Sequence, residues 1–201
     1  MFEKYLPEII ETISKSVQIK TVLDTAVPGG PFGQGNKNCL EYVLSVADKL
    51  GFRTVNLDGY CGYAEIGEGE EIVGIIGHLD VVPEGSGWNT DPYTLTEIDD
   101  TFYGRGVLDD KAPLLLCLYA IKDLLDEGVE FNKKVRFFIG LDEETDWQDV
   151  NYFKEHYGFP KYGISPDGNF PVVYAEKGLN KVTFHLPKFK NFSAITGGTT
   201  F

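Results

Sequence analysis

The amino-acid sequence predicts an α/β sandwich, a fold in which a central sheet is flanked by helices. Apolar residues recur at helical spacing in several segments, and short strand-like apolar runs separate these segments. One of the runs, Ile72–Ile76, is apolar almost throughout, which is typical of a strand covered on both faces. Hydrophobic residues make up 42% of the 201 residues, so the chain can form a packed core. This alternation of strands and helices favours the α/β class.

The first fifty residues predict two helices joined by a loop. Apolar side chains of residues 2–17 recur at helical spacing, and Pro7 is compatible with a first helical turn. Residues 21–37 break this pattern with glycines and prolines and are therefore predicted to form a loop. The second helix covers residues 40–50 and ends at Gly51.

The rest of the chain predicts a series of strands with two further helices. Asp99 and Asp100 lie at the turn of a hairpin, and Gly128 ends a strongly apolar helix. The predicted elements are strands at residues 52–57, 61–66, 72–76, 135–139, 172–175 and 181–186, a hairpin at 95–103, and helices at 112–125 and 150–157.

The chain carries an excess of negative charge, with 31 acidic and 18 basic residues and a formal net charge of −13. Such a chain repels nucleic acids and anionic membranes. No apolar stretch approaches the roughly 20 residues that span a bilayer, and the N-terminus lacks the layout of a secretory signal. The three cysteines, Cys39, Cys61 and Cys117, form no CxxC pair, which argues against a zinc finger or a disulfide scaffold. We therefore expect a soluble, cytoplasmic protein without nucleic-acid or membrane partners.

Four turns rich in histidine or acidic residues each follow a predicted strand or strand–loop unit. Because ligands gather at the carboxyl ends of the strands in open α/β sheets, we expect these turns to meet. The turns are residues 77–80, 104–110, 141–144 and 165–168.

Most of these turns, taken alone, have two interpretations. His78 and Asp80 point the same way on an extended backbone, so the aspartate could hold the imidazole for metal binding, but a histidine satisfied within a strand-end turn fits the same pattern. Asp109 and Asp110 precede a helix, where they could cap it or bridge two cations. Asp167, in a Pro-Asp-Gly sequence, has the features of an ordinary turn residue.

The acidic turn at residues 142–144 is either a solvated loop or part of a hydrolytic site. In the second interpretation one carboxylate binds metal and its neighbour takes a proton from a metal-activated water. One histidine with several carboxylates is a ligand set that zinc accepts. The sequence contains neither a GxxxxGK[ST] phosphate loop nor a complete dinucleotide-binding fingerprint. Metal-assisted hydrolysis is therefore the chemistry that the residues themselves favour.

A set of motifs occurs in order along the chain. It consists of His78–Pro83, Gly87-Trp88 with Asp91–Tyr93, Gly104–Lys111, Asp142–Glu144 and Pro166–Gly168. These motifs resemble those of the dizinc aminoacylase and carboxypeptidase-type metallopeptidases, peptidase family M20. The longer stretches are most similar to its dipeptidase V branch (Xaa-His dipeptidase, carnosinase-like), and the resemblance extends over residues 2–201.

The resemblance implies a fold, a domain organisation and an activity. The fold is a zinc-peptidase-like (phosphorylase/hydrolase-like) sandwich with a mixed central sheet flanked by helices. Residues 1–180 correspond to the N-terminal part of the catalytic domain, and residues 181–201 to the start of the lid or dimerisation domain. The implied activity is hydrolysis of dipeptides with a free N-terminus by a metal-activated water, with two Zn²⁺ ions per complete site.

The resemblance also implies roles for individual residues. Asp80 orients the imidazole of His78, and Glu143 acts as the general base. Asp109 bridges the two zinc ions and precedes a cis peptide bond. The implied metal ligands are His78 and Asp167 for the first zinc, Glu144 for the second, and Asp109 for both.

The chain departs from the family pattern at the second zinc. In the family that ion takes a histidine from near the C-terminus of a chain more than twice as long, and neither His156 nor His185 matches it. We therefore expect an N-terminal portion of a dipeptidase, which by itself binds at most one zinc ion well and has little peptidase activity.

Two other functions fit the same sequence. The first is a related aminoacylase or deacylase-type hydrolase of N-acyl amino acids, which would share the metal residues. The second is a non-catalytic folded remnant that self-associates through an exposed sheet edge or the truncated lid strand. A substrate panel discriminates the first from a dipeptidase, and size exclusion combined with zinc analysis discriminates the second.

Overall fold

A computed structural model describes residues 3–169, 171–175 and 177–178 of the chain. The chain divides into two compact units, residues 1–168 and 169–201, and every helix and strand of the described residues lies in the first unit. None of these helices is long and apolar enough to cross a membrane. After a 3₁₀ turn at Glu3–Tyr5, the elements are α1 (Leu6–Gln18), α2 (Gln34–Lys49), β1 (Arg53–Leu57), β2 (Cys61–Ile66), β3 (Ile72–His78), β4 (Thr96–Ile98), β5 (Thr101–Tyr103), α3 (Lys111–Asp126), β6 (Lys134–Gly140), α4 (Gln148–His156) and β7 (Tyr162–Ile164).

Five of the strands form one mixed sheet in the order β1-β2-β6-β3-β7. The β1–β2 and β2–β6 pairs are antiparallel, whereas β3 is parallel to both β6 and β7. The parallel pairing places the carboxyl ends of β3 and β6 at one edge of the sheet, with His78 opposite Gly140. This mixed sheet, flanked by helices, confirms the predicted fold class.

Helices cover both faces of the sheet. Side chains alternate along β6, so Phe137 and Ile139 pack in the core that α1, α2 and α3 share, while Phe138 packs on the opposite face against Phe153 of α4. The ring centroids of Phe138 and Phe153 are 5.0 Å apart in an edge-to-face arrangement. Because both faces of β6 are buried, this strand lies at the centre of the sandwich.

A buried ion pair joins β2 and β6. Glu65 and Arg136 lie directly opposite each other, and their side chains are 4% and 9% exposed. Arg136 donates to Glu65 Oε2 from Nε at 2.7 Å and from Nη2 at 2.5 Å. The guanidinium also lies 4.7 Å from the ring centroid of Tyr63, and the exposed Arg53 contacts the other oxygen of the Glu65 carboxylate. Both buried charges therefore have the partners that ions in a protein interior require.

Most predicted elements agree with the structure to within one or two residues. α1 buries Ile9, Ile13 and Val17, which are four residues apart and so lie on one face of the helix. The predicted hairpin is formed by β4 and β5 and turns at Asp99 and Asp100. Their φ angles of 49° and 60° are those that a two-residue hairpin turn requires.

The second helix begins earlier than predicted. α2 starts at Gln34, inside the segment that the sequence predicts to be a loop. A Cβ at position 35 would lie 1.9 Å from the carbonyl oxygen of Lys20, so Gly35 allows the first turn of α2 to pack against the preceding chain. The glycine serves close packing here, whereas the sequence pattern indicated a break.

The C-terminal strands differ more from the prediction. β7 was not predicted, because three residues are too few to show an alternating pattern. The strand predicted at residues 172–175 is wrong: these residues have no regular structure, and Tyr174 is 98% exposed. An apolar run forms a strand only where a neighbour pairs with it, and none does so within the described part of the chain. The predicted strand at 181–186 and the predicted domain boundary after residue 180 lie outside the described residues.

Candidate metal centre

Two of the predicted turns begin side by side because β3 and β6 end in register. His78 is the last residue of β3 and pairs with Gly140, the last residue of β6. The backbone N–H of Leu79 donates to the carbonyl of Gly140 at 2.9 Å, so the pairing continues one residue beyond β3. The segments that carry Asp80 and Glu143 therefore leave the sheet at the same edge.

The start of α3 joins this edge through Asp110. The carboxylate Oδ2 of Asp110 accepts the backbone N–H of His78 at 3.1 Å, and Asp110 is fully buried. A Cβ on residue 77 would lie 2.4 Å from that oxygen, so Gly77 is needed for the contact. Although Asp110 occupies the N-cap position of α3, its side chain makes no capping hydrogen bond to the helix. The peptide bond between Asp109 and Asp110 is cis, as the resemblance implies.

Three of the four predicted metal ligands lie close together. The Nε2 atom of His78 is 3.1 Å from Asp109 Oδ1 and 3.4 Å from Asp167 Oδ2. One ligand atom from each of the three residues lies within 4.8 Å of the others. The side chain of His78 is 3% exposed, whereas those of Asp109 and Asp167 are 54% and 31% exposed. We call these three residues the His78 group; it consists of a buried imidazole beneath two accessible carboxylates.

Asp80 connects the His78 group to the acidic turn. The Nδ1 atom of His78 lies 3.0 Å from the backbone carbonyl of Asp80 and 3.2 Å from its carboxylate Oδ1. The other carboxylate oxygen of Asp80 accepts the backbone N–H of Glu144 at 3.1 Å. The aspartate thus contacts the imidazole on one side and the turn at residues 142–144 on the other.

The electrostatics of the centre favour a bound cation. Burial lowers the pKa of His78, but the hydrogen bond and charge of Asp80, with the charges of Asp110 and Asp109, outweigh this effect and raise the pKa to about 10. Burial has the opposite effect on carboxyl groups. It raises the pKa values of Glu143 and Glu144, and it raises that of Asp110 to about 7. One imidazole is therefore surrounded by several carboxyl groups whose negative charges are only partly compensated.

The His78 group fits a zinc ion. Ligand atoms about 2.1 Å from a tetrahedral zinc ion lie about 3.4 Å from each other, which is close to the separations of 3.1 Å and 3.4 Å around His78 Nε2. This nitrogen is buried, and none of its contacts with the described residues, including those with the two carboxylates, has the geometry of a hydrogen bond. The contact of the other ring nitrogen with the Asp80 carbonyl is of the kind that fixes the tautomer of a metal-binding histidine. Glu144, predicted to bind a second ion, is not part of the group.

Several buried polar residues around the centre were not predicted as site residues. Lys111 is fully buried at the start of α3, and its Nζ donates to the carbonyls of Ser16 and Ile19 at 2.8 Å each. Asp142, the first residue of the acidic turn, is buried, and so is Asp149 in the first turn of α4. The position of Lys111, directly before a predicted apolar helix, was a signal in the sequence for the burial of this lysine. Nothing in the local pattern distinguishes Asp149 from an exposed helix residue.

Comparisons with known proteins identify the family of the chain. The sequence model described as Peptidase family M20/M25/M40 matches residues 74–183. The Bacillus subtilis (strain 168) protein named Putative dipeptidase YtjP is 40% identical to the chain over 186 residues, which are 92% of this chain and 40% of that protein. The chain spans about 40% of the length of the curated relatives it matches.

Solved structures show the same similarity. Human carnosine dipeptidase 1 superposes with a TM-score of 0.70 at 26% identity, over 84% of this chain and 40% of that one. The metallo-carboxypeptidase Sso-CP2 from Sulfolobus solfataricus superposes with a TM-score of 0.65 at 26% identity, over 81% of this chain and 37% of that one. The family model matches more than half of the residues of this chain, including those of the His78 group. The chain therefore belongs to peptidase family M20/M25/M40.

Proposed function

We propose that this chain carries the metal-binding part of a zinc-dependent dipeptidase, which hydrolyses dipeptides that have a free N-terminus. The observation that carries the proposal is the convergence of His78, Asp109 and Asp167 at the carboxyl edge of the sheet. The names of two similar proteins, Putative dipeptidase YtjP and carnosine dipeptidase 1, support dipeptides as the substrate class.

The proposed ligands divide between two ions. His78, Asp109 and Asp167 would hold the first, and Asp109 with Glu144 would contribute to the second. A bound zinc ion would polarise the scissile carbonyl and lower the pKa of a water molecule toward neutrality. Among the described residues the first set forms a group of three ligands, whereas Asp109 and Glu144 supply only two ligands to the second ion, so we expect one tightly bound ion per chain.

Two further residues would act on protons and orientation. Glu143 is half-buried, and its pKa is raised by burial and by the nearby carboxylates of Asp167, Asp80 and Asp109, against the opposing charge of His78. A carboxylate with a raised pKa can take a proton from the attacking water and pass it to the leaving amine. Asp80 would keep the imidazole in place through its contacts with Nδ1.

We also propose a cytoplasmic location and a small-molecule substrate. The net charge of −13 disfavours nucleic acid and anionic membrane as partners. The three cysteines are free thiols, which supports a reducing compartment.

Replacing Glu143 with glutamine tests the proposed mechanism. Loss of a general base is expected to lower dipeptide turnover by about 100-fold or more, while Zn²⁺ affinity changes little because Glu143 is outside the His78 group. Turnover is measured on the zinc-loaded chain by release of free amino acids. We expect the unaltered chain to be slow, because its described residues assemble ligands for one ion.

Glu130→Gln is the matched control, since Glu130 is exposed and precedes β6, whereas the acidic turn follows the other end of that strand. Preferential turnover of N-acyl amino acids would favour the aminoacylase alternative. Equal turnover by the unaltered and Glu143→Gln chains would show that Glu143 is not the base, and no zinc-dependent turnover of either substrate would contradict a hydrolase built from these residues.

A further inference from the structure

The connection between β6 and α4, residues 141–147, carries Glu143 and Glu144, and from here on we call it the turn. Two buried aspartates that the proposed mechanism does not use hold it: Asp142 lies near its start, and Asp149 lies just beyond its end, in α4. Asp149 Oδ2 accepts the backbone N–H of Leu141 at 2.7 Å and that of Asp142 at 3.1 Å. We call Asp142 and Asp149 the aspartate bracket.

The bracket is reciprocal, because each aspartate binds the backbone beside the other. Asp142 Oδ2 accepts the backbone N–H of Gln148 at 2.8 Å, while Asp149 binds the N–H of Asp142 itself. Both ends of the turn are therefore fixed by carboxylates that are shielded from water. Hydrogen bonds to a buried charged acceptor are stronger than neutral ones.

Further hydrogen bonds close the interior of the turn. The side chain of Asp142 also accepts a hydrogen bond from the hydroxyl of Thr145. The backbone carbonyl of Asp142 accepts one from the backbone N–H of Trp147 at 3.1 Å. The indole Nε1 of Trp147 donates to the carbonyl of Glu143 at 2.7 Å. The backbone that carries Glu143 is thus tied to both the start and the end of the turn.

The bracket is coupled to the metal centre through Asp80. The backbone N–H of Glu144 donates to Asp80 Oδ2, and Asp80 lies against the ring of His78. A displacement of the turn would therefore move Glu143 and Glu144 relative to the His78 group.

The position of Asp149 depends on a glycine at the end of β6. A Cβ on residue 140 would lie 2.6 Å from Asp149 Oδ2, which is closer than a real Cβ contact. Gly140 thus leaves the space through which the carboxylate reaches the N–H of Leu141. The same contact can be disturbed chemically at Asp149 or sterically at Gly140.

We propose that Asp149 is a positioning residue for the hydrolytic site: through its bracket with Asp142 it fixes the turn so that Glu143 and Glu144 are held against the metal centre. The inference rests on the proposed function for the roles of these two glutamates. The competing explanation is that Asp149 only contributes to the stability of α4.

Asp149→Asn tests the inference with little change of size. The carboxylate accepts N–H groups through both oxygens, from Leu141 and Asp142 at Oδ2 and from Val150 at Oδ1 at 2.6 Å, whereas an amide has one acceptor oxygen and no charge. The variant therefore loses the hydrogen bonds of one oxygen and weakens those of the other. In hydrogen exchange at 20 °C, amides of residues 141–148 are expected to exchange about tenfold faster than in the unaltered chain, while those of β3 stay unchanged. Gly140→Ala, which keeps the aspartate at position 149 but pushes its carboxylate away from Leu141, should give the same local increase. Asp146→Asn, the same chemical change at an exposed position of the turn, should give none.

Turnover provides the second measurement. In the zinc-loaded chain, Asp149→Asn should lower kcat about tenfold and leave KM unchanged, since the base acts on the attacking water and does not bind the substrate. Zn²⁺ affinity should also be unchanged, because the His78 group lies outside the turn. If the unaltered chain has no dipeptidase activity, the proposed function fails, and hydrogen exchange alone decides whether the bracket holds the turn.

Two outcomes would overturn the inference. Unchanged exchange at residues 141–148 in both variants would show that the bracket does not hold the turn. Uniformly faster exchange with a lower Tm, and no local excess, would show that Asp149 acts on overall stability alone. If far-UV circular dichroism shows that Asp149→Asn does not fold, Gly140→Ala decides by the same criteria.

Discussion

Replacing His78 with alanine is expected to weaken zinc binding by more than about 100-fold. Changing a residue that only supports a metal ligand costs about 10- to 100-fold in affinity, and His78 is at the centre of its group, with both partner carboxylates within 3.4 Å of its Nε2 atom. Affinity is measured by competition with a chromophoric chelator at pH 7.5, and stoichiometry by elemental analysis. We expect one zinc ion per unaltered chain.

The matched control is His156→Ala, because His156 is an exposed histidine on α4 that lies outside the His78 group. It should leave both the affinity and the stoichiometry unchanged. Equal zinc affinity in the unaltered and His78→Ala chains would remove the basis for the proposed metal centre. A loss in His156→Ala as large as in His78→Ala would place the ion elsewhere.

The second large effect is expected at the buried ion pair between Glu65 and Arg136. Glu65→Leu or Arg136→Met alone should lower the free energy of unfolding by about 3–5 kcal/mol, because each change leaves one buried charge without its partner. The double change should cost less than either single change, since two apolar side chains of similar size need no counter-charge. Urea denaturation monitored by circular dichroism gives all three values.

Arg53→Met is the control for this pair, because Arg53 contacts the same carboxylate from an exposed position. Exposed ion pairs contribute about 0–1 kcal/mol, so the control should lie in that range. A double variant whose loss equals the sum of the two single losses would show that Glu65 and Arg136 do not act as a unit.

The sequence predicted the central part of the fold well, for reasons that lie in local patterns. The apolar run in β3 and the helical spacing in α1 each reflect a single element, and the positions of β6 and α3 followed from similar runs. The error at α2 has a different origin. Gly35 is glycine because Lys20 approaches it closely, and a contact between two segments is not visible in the local pattern.

The sequence predicted the candidate site less completely than it predicted the fold. The motifs identified His78, Asp109 and Asp167, and the structure brings them together. The same motifs name Glu144 as a ligand, but its link to the centre in the structure is the backbone N–H that binds Asp80. The role of Asp149 depends on the reach of one carboxylate past Gly140, which only the three-dimensional arrangement shows.

The register between β3 and β6 also has a consequence for how the chain folds. The hydrogen bonds that organise the centre join residues distant in sequence: His78 and Asp110 are 32 residues apart, and Asp80 and Glu144 are 64 apart. Contacts of such long range form slowly, because closing the intervening loops costs entropy before the contacts are made. We therefore expect the ligands to converge only after the parallel strands have paired. We expect zinc to slow unfolding far more than it speeds folding, so that the ion prolongs the lifetime of a sheet already assembled.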